Sequence, residues 1–180
     1  MNLPNKLTVL RILMIPAFLV FLLGGCIGQP QSRYAALIIF AAAALTDALD
    51  GYIARSRNLV TDFGKFADPL ADKLLVSAAL IAMTELGWLP AWVVVVIISR
   101  EFIITGLRSV AASKNIILAA GFWGKLKTVA QMIMIVYIIL GLDGTVFSAV
   151  KTLLIALAVL FTLVSAVEYI VKNISIIKDM

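Results

Sequence analysis

The sequence has no histidine and a single cysteine, Cys26. Without histidine, proton abstraction near neutral pH falls to a carboxylate or a metal-activated group, and neither a Ser-His-Asp nor a Cys-His arrangement is available. One cysteine rules out an intramolecular disulfide; its predicted place near an outer loop makes Cys26 a packing residue. Charge is also scarce, at 14% of residues, whereas apolar residues make up 63%, well above the roughly 45–50% of soluble proteins. No soluble domain, low-complexity tract or Gly/Ser linker is evident. The 180 residues therefore read as one integral membrane domain, 1–180, with short loops.

Apolar stretches long enough to cross a bilayer, some with an amphipathic extension, recur along the chain. They predict an all-α membrane protein of six transmembrane helices at about Leu7–Gly25, Tyr34–Ala54, Phe63–Leu86, Leu89–Ser113, Phe122–Leu142 and Val146–Val171. Lys6 and Arg11 precede an apolar run ending Leu23-Gly24-Gly25-Cys26, which superficially resembles a cleavage box before a lipidated cysteine. A multispanning chain follows rather than a secreted domain, and the run is read as the first helix. With both termini inside, all of the fifteen lysines and arginines except Arg33 and Lys151 fall at or toward the cytoplasmic side, the asymmetry that sets orientation.

Against this background stand Asp47, Asp50, Asp68 and Asp72. A carboxylate at membrane depth costs about 2.5–3.5 kcal/mol on insertion scales, so a cluster needs compensating cations or water. At about 100° per residue, Asp47, Asp50, Gly51 and Ala54 share one helix face, and Gly64, Asp68 and Asp72 are successive i, i+4 neighbours on the next helix. Two such helices can aim four carboxylates into one cleft. Hard oxygen donors without histidine or cysteine favour Mg²⁺, Mn²⁺ or Ca²⁺ over zinc or copper, and four converging carboxylates suit two ions. The plainer alternative is ion pairing with Arg55, Lys65 and Lys73. Gly51, Ala54 and Gly64 also suit close helix packing, and their small size leaves room for a ligand to approach the backbone. Pro69 either kinks the third helix or marks its start.

A second, basic constellation follows: Arg100, Glu101 and Arg108 on the fourth helix, and Lys125 and Lys127 at the start of the fifth. Arg100 and Arg108 lie within about 80° of one another around a helix. Four cations exceed what Glu101 neutralises. They suit a phosphate monoester, although lysines near helix ends also snorkel to lipid phosphates.

The run Asp47-x2-Asp50-Gly51-x2-Ala54-Arg55-x8-Gly64-x3-Asp68-x3-Asp72 resembles the signature of the CDP-alcohol phosphotransferase family at every specified position. The resemblance implies the six-helix fold of that family over essentially the whole chain, a CDP-linked lipid donor, two Mg²⁺ or Mn²⁺ ions, a hydroxyl acceptor and release of CMP. It makes Asp47, Asp50, Asp68 and Asp72 metal ligands and Asp72 the base that deprotonates the acceptor. It places Gly51, Ala54, Gly64 and Arg55 against the CDP moiety, with Asn5 and Thr8 of Pro4-Asn5-Lys6-Leu7-Thr8-Val9-Leu10-Arg11 as further donor-site candidates. The segments Ser99-Arg100-Glu101-Phe102, Thr105-Gly106-Leu107-Arg108 and Gly124-Lys125-Leu126-Lys127-Thr128 resemble the bacterial branch that joins CDP-diacylglycerol to sn-glycerol 3-phosphate. There the acceptor phosphate would meet Arg100, Arg108, Lys125 and Lys127. The expected partners are those two substrates, membrane lipids and a second copy in a homodimer, and not nucleic acid. The expected location is the bacterial cell membrane, with the active site facing the cytoplasm. Rival readings are the phosphatidylserine, cardiolipin and phosphatidylinositol-phosphate synthases of the same family, an aspartate-rich membrane prenyltransferase and, from another class, a cation transporter.

Overall fold

The computed structural model describes residues 3–25, 27–56, 62–113 and 121–174, with the backbone alone for residues 3–4, 47–56 and 62–69; Cys26 lies outside the described residues. Six helices run in the order α1 (Leu3–Gly24), α2 (Gln31–Ser56), α3 (Asp62–Glu85), α4 (Ala91–Ser113), α5 (Phe122–Leu140) and α6 (Thr145–Lys172), and no strand occurs among the described residues. The all-α reading holds, with each helix within a few residues of its predicted span. Among the described residues three stretches are long and apolar enough to cross a membrane: Asn5–Gly24, Phe122–Leu140 and Thr145–Lys172. The chain is a multi-pass membrane protein.

Local chemistry sets the helix ends. After α3 the Trp88 amide donates to the Met83 carbonyl at 2.8 Å and the Gly87 amide to Thr84 at 3.0 Å, with Gly87 at φ 69°. This is a Schellman closure, which needs a left-handed residue where glycine carries no steric penalty. Pro90 then precedes α4, and its carbonyl accepts from the Val93 amide at 3.1 Å, so the helix starts two residues later than the apolar run implied. α3 continues unbroken from Asp62 to Glu85. Pro69 therefore lies inside the helix, and the helix-start alternative is excluded.

The helices group into two compact units, Met1–Trp88 with Ile139–Gly141, and Leu89–Ile138 with Leu142–Met180. In the first, α1 packs on α2 and α3, and α2 on α3. Phe18 and Phe40 meet at 5.7 Å between ring centroids. Around them Ala36, Ala43, Ala71 and Ala79 are fully buried. Small side chains let helix backbones approach closely, and in lipid such packing replaces the hydrophobic drive. In the second unit α4 packs against α6, burying Ile104 and Ala111 with Tyr169. A buried polar contact ties α5 to α6: Gln131 Nε2 donates to Thr162 Oγ1 at 3.0 Å, while Thr162 donates to the Ala158 carbonyl at 2.6 Å. Both side chains thus find acceptors in the interior, as a low-dielectric environment requires.

Candidate active site

The first unit carries the acidic signature. Asp47, Asp50, Gly51, Ala54 and Arg55 lie on the α2 backbone, and Gly64, Asp68 and Asp72 on α3, the two helices packing in one unit. Apart from Asp72, the side chains of these residues lie outside the described ones. Asp72 is half-buried and has an interacting partner. The donor set that the sequence supplies, four carboxylates and no nitrogen or sulfur ligand, fits a hard divalent cation.

On α1, Asn5 is 8% exposed and Thr8 and Arg11 are 0% exposed. Their spacing of three residues puts them along one face, which Phe18 and Leu22, also buried, continue into the membrane. The two donor-site candidates thus belong to the packed interior of the unit that holds the aspartates. Arg11 is a residue that the sequence reading passed over as a candidate. Full desolvation of a guanidinium costs several kcal/mol unless charge and hydrogen bonds compensate, and Arg11 is not without a partner. The available signal was the Asn5-x2-Thr8-x2-Arg11 periodicity itself.

The second unit carries the basic constellation, and its geometry divides the four cations into two pairs. Glu101 Oε1 accepts from Arg100 Nη1 at 3.1 Å and from Lys127 Nζ. The side chains of Arg100 and Lys127 are only 10% and 7% exposed, and that of Glu101 18%. Arg108 and Lys125 are exposed. One carboxylate therefore holds two buried cations, and both outer cations add to the excess. Arg100 Nε is buried and makes no hydrogen bond among the described residues. The positive end of the α5 backbone dipole reinforces the field around Lys125 and Lys127, with no acidic residue in its first turn to offset it. Such an arrangement has the charge and the spare donor to take up a dianion.

A second residue absent from the sequence reading stands beside this cluster. Tyr169 of α6 is 6% exposed, packs with Ile104, Ala111 and Leu107, and feels the charges of both Arg108 and Arg100.

Comparison with known proteins adds independent information. A protein-family model described as CDP-alcohol phosphatidyltransferase matches residues 1–164. A Bacillus subtilis protein named CDP-diacylglycerol–glycerol-3-phosphate 3-phosphatidyltransferase is 47% identical over 96% of this chain and 95% of its own length. A Mycobacterium tuberculosis protein named probable phosphatidylglycerophosphate synthase is 41% identical over 95% of this chain and 81% of its own. An Escherichia coli protein with the same name as the Bacillus relative is 41% identical over 77% of this chain and 76% of its own.

Proposed function

The chain belongs to the CDP-alcohol phosphatidyltransferase family, and from that premise we propose that it transfers the phosphatidyl group of CDP-diacylglycerol to sn-glycerol 3-phosphate, giving phosphatidylglycerophosphate and CMP. The observation that carries the choice of acceptor is the Glu101 cluster: two buried cations share a single carboxylate. A neutral polyol or serine would have no use for that excess, whereas a phosphate monoester neutralises it. The names of the relatives support the same acceptor.

In this reading all six helices form one catalytic domain in the cell membrane of a bacterium, as a homodimer, with the reacting groups on the cytoplasmic side. Asn5, Thr8, Gly51, Ala54, Arg55 and Gly64 hold the CDP moiety. Arg100, Arg108, Lys125 and Lys127 hold the acceptor phosphate. Asp72 takes the proton of the acceptor's 1-hydroxyl as that oxygen attacks the phosphorus bearing diacylglycerol, and CMP departs as the bond to it breaks. Divalent-metal dependence is general to the family; two Mg²⁺ or Mn²⁺ ions held by Asp47, Asp50, Asp68 and Asp72 would supply charge neutralisation at the diphosphate. Positioning and electrostatics carry most of such a reaction, and no covalent enzyme intermediate is needed.

The test is CMP release from CDP-diacylglycerol by the purified protein across an acceptor panel of sn-glycerol 3-phosphate, serine, glycerol, inositol phosphate and phosphatidylglycerol, with chelation and metal add-back. Glycerol 3-phosphate should be preferred, and activity should vanish on chelation and return with Mg²⁺ or Mn²⁺. Preference for another acceptor overturns the assignment within the family. Asp72→Asn should lower kcat by about 10²- to 10⁴-fold, the range for loss of a general base, while CDP-diacylglycerol still binds. Near-normal turnover removes Asp72 from that role.

A further inference from the structure

The hydroxyl of Tyr169 is buried and makes no hydrogen bond among the described residues. Phenylalanine would fill the same space without stranding a polar group, so an unmet hydroxyl here calls for an explanation. Its surroundings limit the answer. The charges of Arg108 and Arg100 reach it, and it packs with the apolar side chains of Ile104, Ala111 and Leu107. What is missing is an acceptor. Neither Glu101 nor Glu168 supplies one: Glu101 Oε1 takes donors from Arg100 and Lys127, Glu168 Oε1 accepts from Lys172 at 2.6 Å, and the tyrosine hydroxyl bonds to neither. A second buried donor, Arg100 Nε, is in the same condition. Two unmet donors in a locally cationic region are matched by an anion with several acceptor oxygens.

We propose that Tyr169 belongs to the acceptor site, its hydroxyl donating a hydrogen bond to the phosphate of the incoming phosphomonoester in company with Arg100 Nε. This rests on the reading of the basic cluster as a phosphate site and extends it to a residue of α6. It also gives the site a means of selection. A neutral polyol leaves the hydroxyl stranded, whereas a phosphate satisfies it, so Tyr169 widens the preference for a phosphorylated acceptor.

The consequence is a signature that a merely structural tyrosine does not share. Purified wild type and Tyr169→Phe are compared by thermal melting with and without sn-glycerol 3-phosphate, and by KM for that acceptor and for CDP-diacylglycerol. Without acceptor, Tyr169→Phe should melt at or above wild type, since it removes a stranded hydroxyl. The stabilisation that glycerol 3-phosphate confers should largely disappear. The KM for glycerol 3-phosphate should rise about tenfold or more, as for loss of a hydrogen bond to a charged group, with the KM for CDP-diacylglycerol unchanged. A KM for glycerol 3-phosphate within twofold of wild type overturns the proposal, and so does an acceptor-free melting temperature below wild type. Should wild type itself neither consume glycerol 3-phosphate nor be stabilised by it, the acceptor assignment fails, and the role of Tyr169 fails with it.

Discussion

Arg33 and Arg100 are both largely withdrawn from solvent, yet they are finished to different degrees. Arg33 donates from Nε to the Ile139 carbonyl at 2.7 Å and stacks over the Trp88 ring at 4.0 Å. Gly141, at φ 64°, lies so close that a β-carbon there would overlap the guanidinium. The charge sits at the last carbonyls of α5, where a helix favours a cation. Arg100 gives Nη1 to Glu101 at 3.1 Å but leaves Nε without a partner among the described residues. Burial and charge alone would class the two together. The hydrogen-bond inventory separates a guanidinium that closes a fold from one with a buried donor to spare.

The sharpest way to break this distinction is to truncate the two in parallel. Arg100→Ala leaves the Glu101–Lys127 pair in place and should raise the KM for glycerol 3-phosphate about 100-fold, or ~2.7 kcal/mol, the lower part of the range for losing one partner of a buried charge interaction. The KM for CDP-diacylglycerol should stay within twofold. Arg33→Ala should show the reverse pattern: stability falls by about 2–3 kcal/mol, from one charged hydrogen bond and one cation–π contact, with both KM values within twofold. Thermal melting and steady-state kinetics on the same preparations check both. If Arg33→Ala instead raises the KM for either substrate, the division between the two arginines is wrong.

Gly141→Ala sharpens the structural half. A left-handed residue with a side chain, pressed on the guanidinium, should cost about 1–2 kcal/mol. The double variant with Arg33→Ala should lose less than the sum, because the added methyl no longer meets the guanidinium. The smallest effects are expected at Arg108 and Lys125, which are exposed. Alanine at either should raise the KM for glycerol 3-phosphate only about threefold, ~0.6 kcal/mol, and high salt should shrink the effect further, whereas the Arg100→Ala effect should persist.

The helices were legible because crossing a bilayer demands long apolar runs; the start of α4 was less so, because Pro90 sets it two residues beyond the first apolar residue of its run. The candidate residues were legible as types and spacings. Depth was not. Angular arithmetic places Arg100 and Arg108 on adjoining parts of α4, yet Arg100 is buried against Glu101 and Arg108 is exposed, because burial depends on which neighbouring helix covers each turn. Lys125 and Lys127 separate in the same way, exposed and buried. Tyr169 escaped notice because a tyrosine in an apolar helix looks like any interfacial aromatic; only its unmet hydroxyl distinguishes it. Arg11 gives the converse lesson: it read as a flanking positive charge and is fully enclosed.

The most direct measurement follows the carbon of the acceptor. Purified protein in lipid, given CDP-diacylglycerol, Mg²⁺ and labelled sn-glycerol 3-phosphate, should move label into phosphatidylglycerophosphate and release CMP in equal amount, with neither product formed when the acceptor is withheld. Label that remains water-soluble while CMP accumulates equally with and without acceptor would contradict the account.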